Sequence, residues 1–227
     1  MLNDSDFAAP GGSLPRRERE RIARRAEMLD AARSVLAERG FVGATLEEIA
    51  ARAEYGKGTL YNYFPGGKEE ILFAIFEGIY DDLVSIIDAS FPPSDPETWK
   101  QSARTWFRGF IASCFAYYER HQDLFLILAK EAHRHCFSED GERMAFFLGQ
   151  RARATEALAV HVQCAIDAGA MRPFPARAVA DMLFGNINGL QMHRALEHRR
   201  DEDCAMSSAD FLSSFLFDGL LPAQEQS

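Results

Sequence analysis

Apolar residues recur every three or four positions along almost the whole chain, and nowhere do they alternate as a half-buried strand requires. That spacing predicts an all-α protein of about nine helices. "RRERERIARRAEMLDAARSVLAERGF" repeats apolar residues at Ile22, Ala26, Leu29, Ala32 and Leu36, with Gly40 as its C-terminal stop. "ATLEEIAARAEYG" reads as a short second helix, with Thr45 as N-cap and Glu48 completing a capping box. A third short helix falls on "KGTLYNYF". After the turn "PGG", a longer fourth carries Leu72, Ile75, Phe76, Ile79, Leu83 and Ile86. The sharpest break is "FPPSDPE", where Asp95 caps and Pro96 opens the next helix. Its stripe is Ala103, Trp106, Phe107, Phe110, Cys114 and Tyr118. "HQDLFLILAKEAHRHCF" continues as helix past a soft boundary near His121, and "SEDG" breaks it. Further helices are expected from about Glu142 to Ala168, over "ARAVADMLFGNINGLQMHRALEHR", and over "SSADFLSSFLFDGLL". "GAMRPFP" and the charged loop "RDEDC" separate these three, Ser207 with Asp210 caps the last, and Pro222 closes it.

Charge divides the chain unevenly. Its net charge is −9, which argues against a surface that binds nucleic acid all over. Residues 16–68 nevertheless hold 11 Lys/Arg against 8 Asp/Glu, whereas residues 69–227 hold 14 against 24. A mildly basic front on an acidic body suggests two parts with different partners. No apolar run reaches the ~18 residues of a membrane span, and the N-terminus lacks the pattern of a signal peptide, so a cytoplasmic protein with no membrane partner is expected. The cysteines Cys114, Cys136, Cys164 and Cys204 stand far apart and read as reduced thiols. His133 and Cys136 in "EAHRHC" have helical ligand spacing, with His135 off their face, but two ligands make no metal site. No cofactor is expected. An enzyme is a distant reading, since no phosphate loop, nucleophile elbow or metal-ligand helix pair is present.

"KGTLYNYF" holds weak helix formers, which calls for a reason. Two short helices behind a stabilising first one have the length profile of a helix-turn-helix. At 100° per residue, Leu60 and Phe64 fall together and pack inward. Gly58, Thr59 and Asn62 lie opposite, flanked by Tyr61 and Tyr63. Gly58 permits close approach of backbone to DNA. Asn62 and Thr59 can bond base edges, and the tyrosine hydroxyls can reach the phosphate walls. Lys57, Thr45 and Lys68 open helices, where an anion is favoured. The competing reading has Tyr61 and Tyr63 cap a small hydrophobic cluster. The run Arg16, Arg17, Arg19 and Arg21 fits either an arm reaching adjacent DNA or a solvated helix face.

"ATLEEIAARAEYGKGTLYNYFPGGKEEIL" resembles the DNA-binding region of the TetR family of bacterial transcriptional regulators. The likeness rests on the Thr-capped "T-x-x-x-I-A" helix, on "K-G-T-L-Y-x-Y-F", and on Lys after a short Gly turn, over about fifty residues. It implies operator contacts, mostly to DNA backbone, from Thr45, Lys57, Thr59, Tyr61, Tyr63 and Lys68. Two positions depart from the family pattern. Glu54 stands where the turn usually has Gly, and Gly56 where the reading helix usually has a Ser cap. Either Glu54 adopts a left-handed conformation at some cost, or Gly56 takes over the turn.

The organisation expected is a tail over 1–15, a helix-turn-helix DNA-binding domain over 16–66, and a ligand-binding and dimerisation domain over 67–222. One reading helix recognises too little DNA, so a homodimer on double-stranded, palindromic operator DNA is expected. "FLSSFLFDGLL" is apolar on more than one side, and Gly185 and Gly189 permit a close helix crossing. Candidate interface residues are therefore Gly185, Gly189, Phe211 and Phe215. A helix buried within one chain is the other reading. The resemblance further implies a small, largely apolar inducer in the body that spreads the reading heads. Candidate ligand residues are Trp106, Phe110, Phe146, Phe184 and Asn188. Asn186, Asn188, Gln191 and His193 need partners wherever they are buried. The function read from the sequence is a ligand-released repressor. The alternative is a DNA-bound adaptor whose body recruits a protein without an inducer.

Overall fold

The computed structural model describes residues 15–93, 95–136, 141–197 and 206–219. The expected tail (apart from Pro15), the "RDEDC" loop with Cys204, most of "SEDG", and Pro222 lie outside the described residues. Among those residues there are nine α-helices and no strand. Two compact units are formed, the first ending at Leu72 and the second beginning at Phe73.

The first unit contains α1 (Arg16–Gly43), α2 (Leu46–Arg52), α3 (Lys57–Tyr63) and the opening of α4 (Gly67–Ser90). Gly40 has φ 69, so the regular part of α1 stops there, as its sequence predicts. Met28, Ala32, Val35 and Leu36 form the buried face of α1 at helical spacing. Ile49 of α2, Leu60 and Phe64 of the α3 segment, and Ile71 and Leu72 of α4 are also buried. The Thr45 capping box forms in full: the Glu48 N–H donates to Thr45 Oγ1 at 3.2 Å, and the Thr45 N–H donates to Glu48 Oε2 at 3.2 Å.

The end of α2 resolves the two alternatives for its turn. Glu54 has φ 59, a left-handed conformation, while Gly56 has φ −69 and caps α3 without a side-chain bond. The Tyr55 N–H donates to the Ala50 carbonyl at 2.9 Å and the Glu54 N–H to the Ala51 carbonyl at 3.2 Å, the pairing of a Schellman motif. The same motif ends α7 in the second unit, with Gly169 at φ 71 in the left-handed position. One helix thus uses the residue suited to this bend, and the other carries a glutamate with the steric cost of its Cβ.

The second unit contains the rest of α4, α5 (Pro96–Arg120), α6 (Gln122–Cys136), α7 (Gly141–Asp167), α8 (Ala176–Glu197) and α9 (Ser208–Asp218). Asp95 caps α5 by accepting from the Glu97 and Thr98 N–H groups at 2.9 and 3.1 Å, with Pro96 at the first helical position. At His121 the chain leaves α5 with φ −121 and re-enters helix at Gln122, the soft boundary expected. The core is aromatic. Phe91 meets Phe107 edge-on at 4.8 Å and stacks on Trp99 at 5.9 Å and on His161 at 4.6 Å. Burial lowers the His161 pKa, the charge of Asp88 opposing in part. Helix α9 is tied to α5 by ion pairs from Arg104 to Asp218 and Arg108 to Asp210. Arg194 of α8 is buried over the Phe115 ring at 4.9 Å and donates to the Ser208 hydroxyl at the start of α9.

Phe107 is fully buried, so Phe107→Ala is expected to lower the unfolding free energy by about 3–5 kcal/mol in urea titrations. Val160→Ala, at a residue 60% exposed, should change it by less than ~0.5 kcal/mol. Glu54→Gly should raise stability by roughly 0.5–1 kcal/mol, the relief of left-handed strain less the entropy that glycine adds to the unfolded chain. A Glu54→Gly protein that melts earlier than the parent would contradict the strain assignment.

Candidate functional site

Helix α3 sorts its side chains as its register predicts. Leu60 and Phe64 are 1% exposed, whereas Gly58, Tyr61 and Asn62 are exposed and Thr59 and Tyr63 half-buried. A Cβ added at Gly58 would meet nothing within 4 Å, so the outer surface there is bare backbone. The helix is braced from α1 and α2 by residues that the sequence did not single out. Tyr55 donates its hydroxyl to Glu27 at 2.5 Å, and this bond raises the phenol pKa. Arg52 grips Glu38 with two nitrogens at 2.6 and 2.8 Å and reaches Ser34 at 2.9 Å. Arg25 lies 5.2 Å from the centre of the Phe64 ring. The only sequence signal for the Tyr55–Glu27 and Arg52–Glu38 pairs is charge or hydroxyl on facing helices, which needs the fold before it can be read.

Three predicted contacts have partners inside the protein. Lys57 forms an ion pair with Glu47 of α2, and its ammonium stands 5.9 Å from the Tyr61 ring centre. The pairing raises the Lys57 pKa and lowers that of Glu47, chiefly through their hydrogen bond. Thr45 donates its hydroxyl to Glu48 at 3.1 Å, so its proton is turned to the cap. Lys68 donates to the carbonyls of Phe41 at 2.6 Å and Ala44 at 2.9 Å and lies 4.7 Å from the Phe41 ring centre. Read from sequence as a phosphate contact, Lys68 directs its ammonium, in the free chain, to carbonyls at the end of α1. The Arg16 and Arg21 side chains pair with Glu20 and Glu18 along an exposed helix.

The second unit contains a half-open cavity of about 360 Å³ lined from α4, α5, α6, α7 and α8. Phe184 and Asn188, candidate ligand residues in the sequence, line it, and so does Gly185, which the sequence reading assigned to the dimer. Trp106, Phe110 and Phe146 are not among its lining residues. Phe110 is fully buried, edge-on to Phe184 at 6.1 Å. Trp106 packs at right angles on Trp99 at 4.8 Å, and Phe146 against Phe73 and Phe147 at 5.1 and 5.4 Å. Aromatic spacing marks the buried side of these helices but does not tell which rings stop short of filling it. Tyr117, Tyr118, His121, His133 and Arg151 are in the lining but absent from the predicted set; a lone Arg on the apolar face Phe147, Leu148, Arg151, Ala154 is the signal that marks it.

On α8, Gly185 and Gly189 have open space where a Cβ would stand, and Met182 and Leu196 are exposed. Phe211 of α9 is 48% exposed, and Phe215 lines a second cavity of about 640 Å³ beside the α7–α8 link. Asn188 and His193 face solvent, and Asn186 donates to the Met182 carbonyl at 2.8 Å. Gln191 is buried, with no hydrogen-bond partner for its Oε1 among the described residues. No cluster of three or more His, Cys, Asp or Glu able to hold a metal occurs among the described residues; the side chains of His135 and Cys136 lie outside them. Nor is any described helix long and apolar enough to cross a membrane.

Residues 28–75 match the family model for bacterial regulatory proteins of the tetR family. Over 75 residues the chain is 40% identical to the HTH-type transcriptional activator FasR of Mycolicibacterium smegmatis (strain ATCC 700084 / mc(2)155), covering 33% of this chain and 32% of that protein. The match therefore spans less than a third of that relative's length. In three dimensions the chain is similar to the fatty acid degradation regulator FadR of Bacillus halodurans, with TM-score 0.69 and 19% identity over 87% of this chain and 96% of that one. It is also similar to the transcriptional regulator FadR of Bacillus subtilis in complex with stearoyl-CoA, with TM-score 0.69 and 18% identity over 86% and 99% of the two chains. At such identities the likeness is one of fold. The helix-turn-helix segment, residues 28–75, is thus similar to the DNA-binding segment of the tetR family of bacterial regulatory proteins, and the nine described helices share the fold of these solved regulators.

Proposed function

We propose that the chain is a transcriptional regulator that binds palindromic operator DNA as a homodimer, represses from it, and is released by a small, largely apolar ligand. The observation that carries this reading is the division of α3. Two side chains anchor it, while Gly58, Tyr61 and Asn62 present an open surface of backbone, phenol and amide. Asn62 and Thr59 would meet base edges, and Lys57, Tyr61 and Tyr63 the phosphate walls. Thr45 has the smaller part, and Lys68 supports the site by tying the end of α1 to α4. The family and the similar solved structures are regulators rather than enzymes, and the chain is read in the same way.

Dimerisation through α8 and α9 is supported by Gly185 and Gly189, which allow a close crossing, by the exposed Met182 and Leu196 on the same helix, and by the exposed Phe211 on α9. Ligand release is supported by the cavity, whose walls are mostly aromatic and aliphatic. The complex of Bacillus subtilis FadR with stearoyl-CoA lends support to an apolar chain as occupant.

Selection of bound sequences from a random DNA pool tests the whole reading: a palindrome is expected, and recovery of no sequence preference would overturn it. Asn62→Ala should lose about 1–3 kcal/mol of discrimination at one base position, read from binding to a set of single-base operator variants. Tyr61→Phe should weaken binding to all variants alike. Equal loss across every variant for Asn62→Ala would remove its assigned role. Phe211→Asp should shift the protein from dimer to monomer in sedimentation velocity and weaken binding to the full palindrome more than to a half-site.

A further inference from the structure

Helix α1 starts well before the part of it that is packed. Its buried positions begin at Met28, and residues 19–27 are all exposed. Arg25 lies 5.2 Å from the Phe64 ring centre, and Glu27 accepts from the Tyr55 hydroxyl at 2.5 Å. The stretch 16–24 before them is about 13 Å long at ~1.5 Å per residue. It is exposed apart from the half-buried Glu18. The spacing of the buried face nevertheless continues into this overhang. Arg17, Arg21, Arg24, Met28, Ala31 and Val35 follow one another in steps of four and three, which keeps them on one side of a helix. At about 100° per residue, Arg25 and Glu27 fall on either side of that line. Both reach the α2–α3 segment, so the line between them points at it. Helix α1 thus turns apolar side chains toward α3 where it packs, and arginines where it projects past. Arg16 and Arg19 fall on other sides of the overhang. Arg21 lies 3.9 Å from Glu18, beyond the ~2.7–2.9 Å of a charge-assisted hydrogen bond. The Tyr55 phenol, whose pKa is raised chiefly by its bond to Glu27, also feels the opposing charge of Arg24 and the neighbouring Tyr63. The stripe therefore ends beside the tyrosines at the edge of the α3 face.

A solvated helix face gains from mixed signs at i, i+4, and this side carries arginine alone at its three positions. Leu60 and Phe64 are the inner side of α3, so DNA met by its outer face lies beyond α3 from α1. A face of α1 that points at α3 and extends past it then looks onto the same duplex. We propose that Arg17, Arg21 and Arg24 form a second DNA contact in each chain, on the duplex flanking the segment under α3. This rests on the proposed DNA-binding function and extends its footprint outward. At ~3.4 Å per phosphate along a strand, the overhang reaches about four base pairs. Guanidinium donors suit both phosphate oxygens and a narrow minor groove, two features of one duplex. An acidic protein surface would offer carboxylates to the same donors, but the direction of the stripe favours the polyanion that α3 meets.

The test measures binding of the full chain to two duplexes by fluorescence anisotropy. One ends with the palindrome selected from the random pool, and the other adds about six base pairs of arbitrary sequence on each side, more than the overhang spans. The parent should bind the longer duplex about tenfold more tightly and with a steeper salt dependence. Arg17→Ala combined with Arg24→Ala should lose most of that gain. Arg16→Ala combined with Arg19→Ala removes the same charge from other sides of the overhang and should keep it. Tighter binding to A·T than to G·C flanks places the arginines in the minor groove, and equal binding places them on phosphates. Equal affinity of the parent for the two duplexes, a gain that survives Arg17→Ala with Arg24→Ala, or a gain lost equally in both double variants overturns the proposal and leaves the α3 reading intact. Absence of the gain together with self-association that Arg17→Ala with Arg24→Ala abolishes assigns the stripe to an acidic protein surface instead. Recovery of no bound sequence in the selection overturns both readings.

Discussion

A seven-residue helix containing Gly, Thr, Asn and two Tyr does not hold itself together in water, where isolated helices below ~12–15 residues are marginal. Helix α3 exists because Leu60 and Phe64 are buried, and everything on its outer face depends on that anchorage. Because the inner pair supplies the stabilisation, the remaining positions are released from the usual demand for helix formers. The exposed face can then be occupied by residues chosen for what they touch. The surrounding braces, Tyr55 on Glu27 and Arg52 on Glu38, are largely exposed and add little energy. Their effect is on orientation, since each fixes the α2–α3 turn to a particular point of α1.

Much of the helix-turn-helix was legible because it is written in short-range chemistry. The capping box of Thr45 and Glu48, the stop at Gly40 and the inward pair Leu60 and Phe64 all depend on residues within a turn or two of each other. The departure at Glu54 was visible as a conflict between residue and position, and the structure resolves it by keeping the bend and accepting the strain. Lys68 shows where short-range chemistry stops. A cation at a helix start suggests an anion, but the carbonyls that bind it belong to residues 24 to 27 positions earlier, and nothing local points to them.

The cavity was harder to read, and the reason is packing. Periodicity tells which side of a helix is turned inward, so Phe110 and Phe184 both qualified. It cannot tell that Phe110 is packed on every side while Phe184 borders empty volume. That distinction arises from how five helices meet. The polar lining residues were only half hidden: Arg151 stands out on the apolar face of α7, but only the neighbouring helices show that this face borders a cavity. Where local patterning and global packing coincide, as in the stripe of α5, sequence and structure agree closely.

The ion pair between Lys57 and Glu47 has a consequence for the thermodynamics of any phosphate that α3 meets. A lysine that is bare in the free protein contributes to DNA affinity by displacing condensed counterions, and its contribution falls steeply with salt. Lys57 instead begins with its charge already balanced by a carboxylate of the same fold. Glu47 acts as a tethered counterion. It lowers the indiscriminate attraction between this helix and any polyanion, and it blunts the salt sensitivity of the contact that remains. For the proposed regulator, of net charge −9, weak grip on the wrong sequence is as useful as strong grip on the right one.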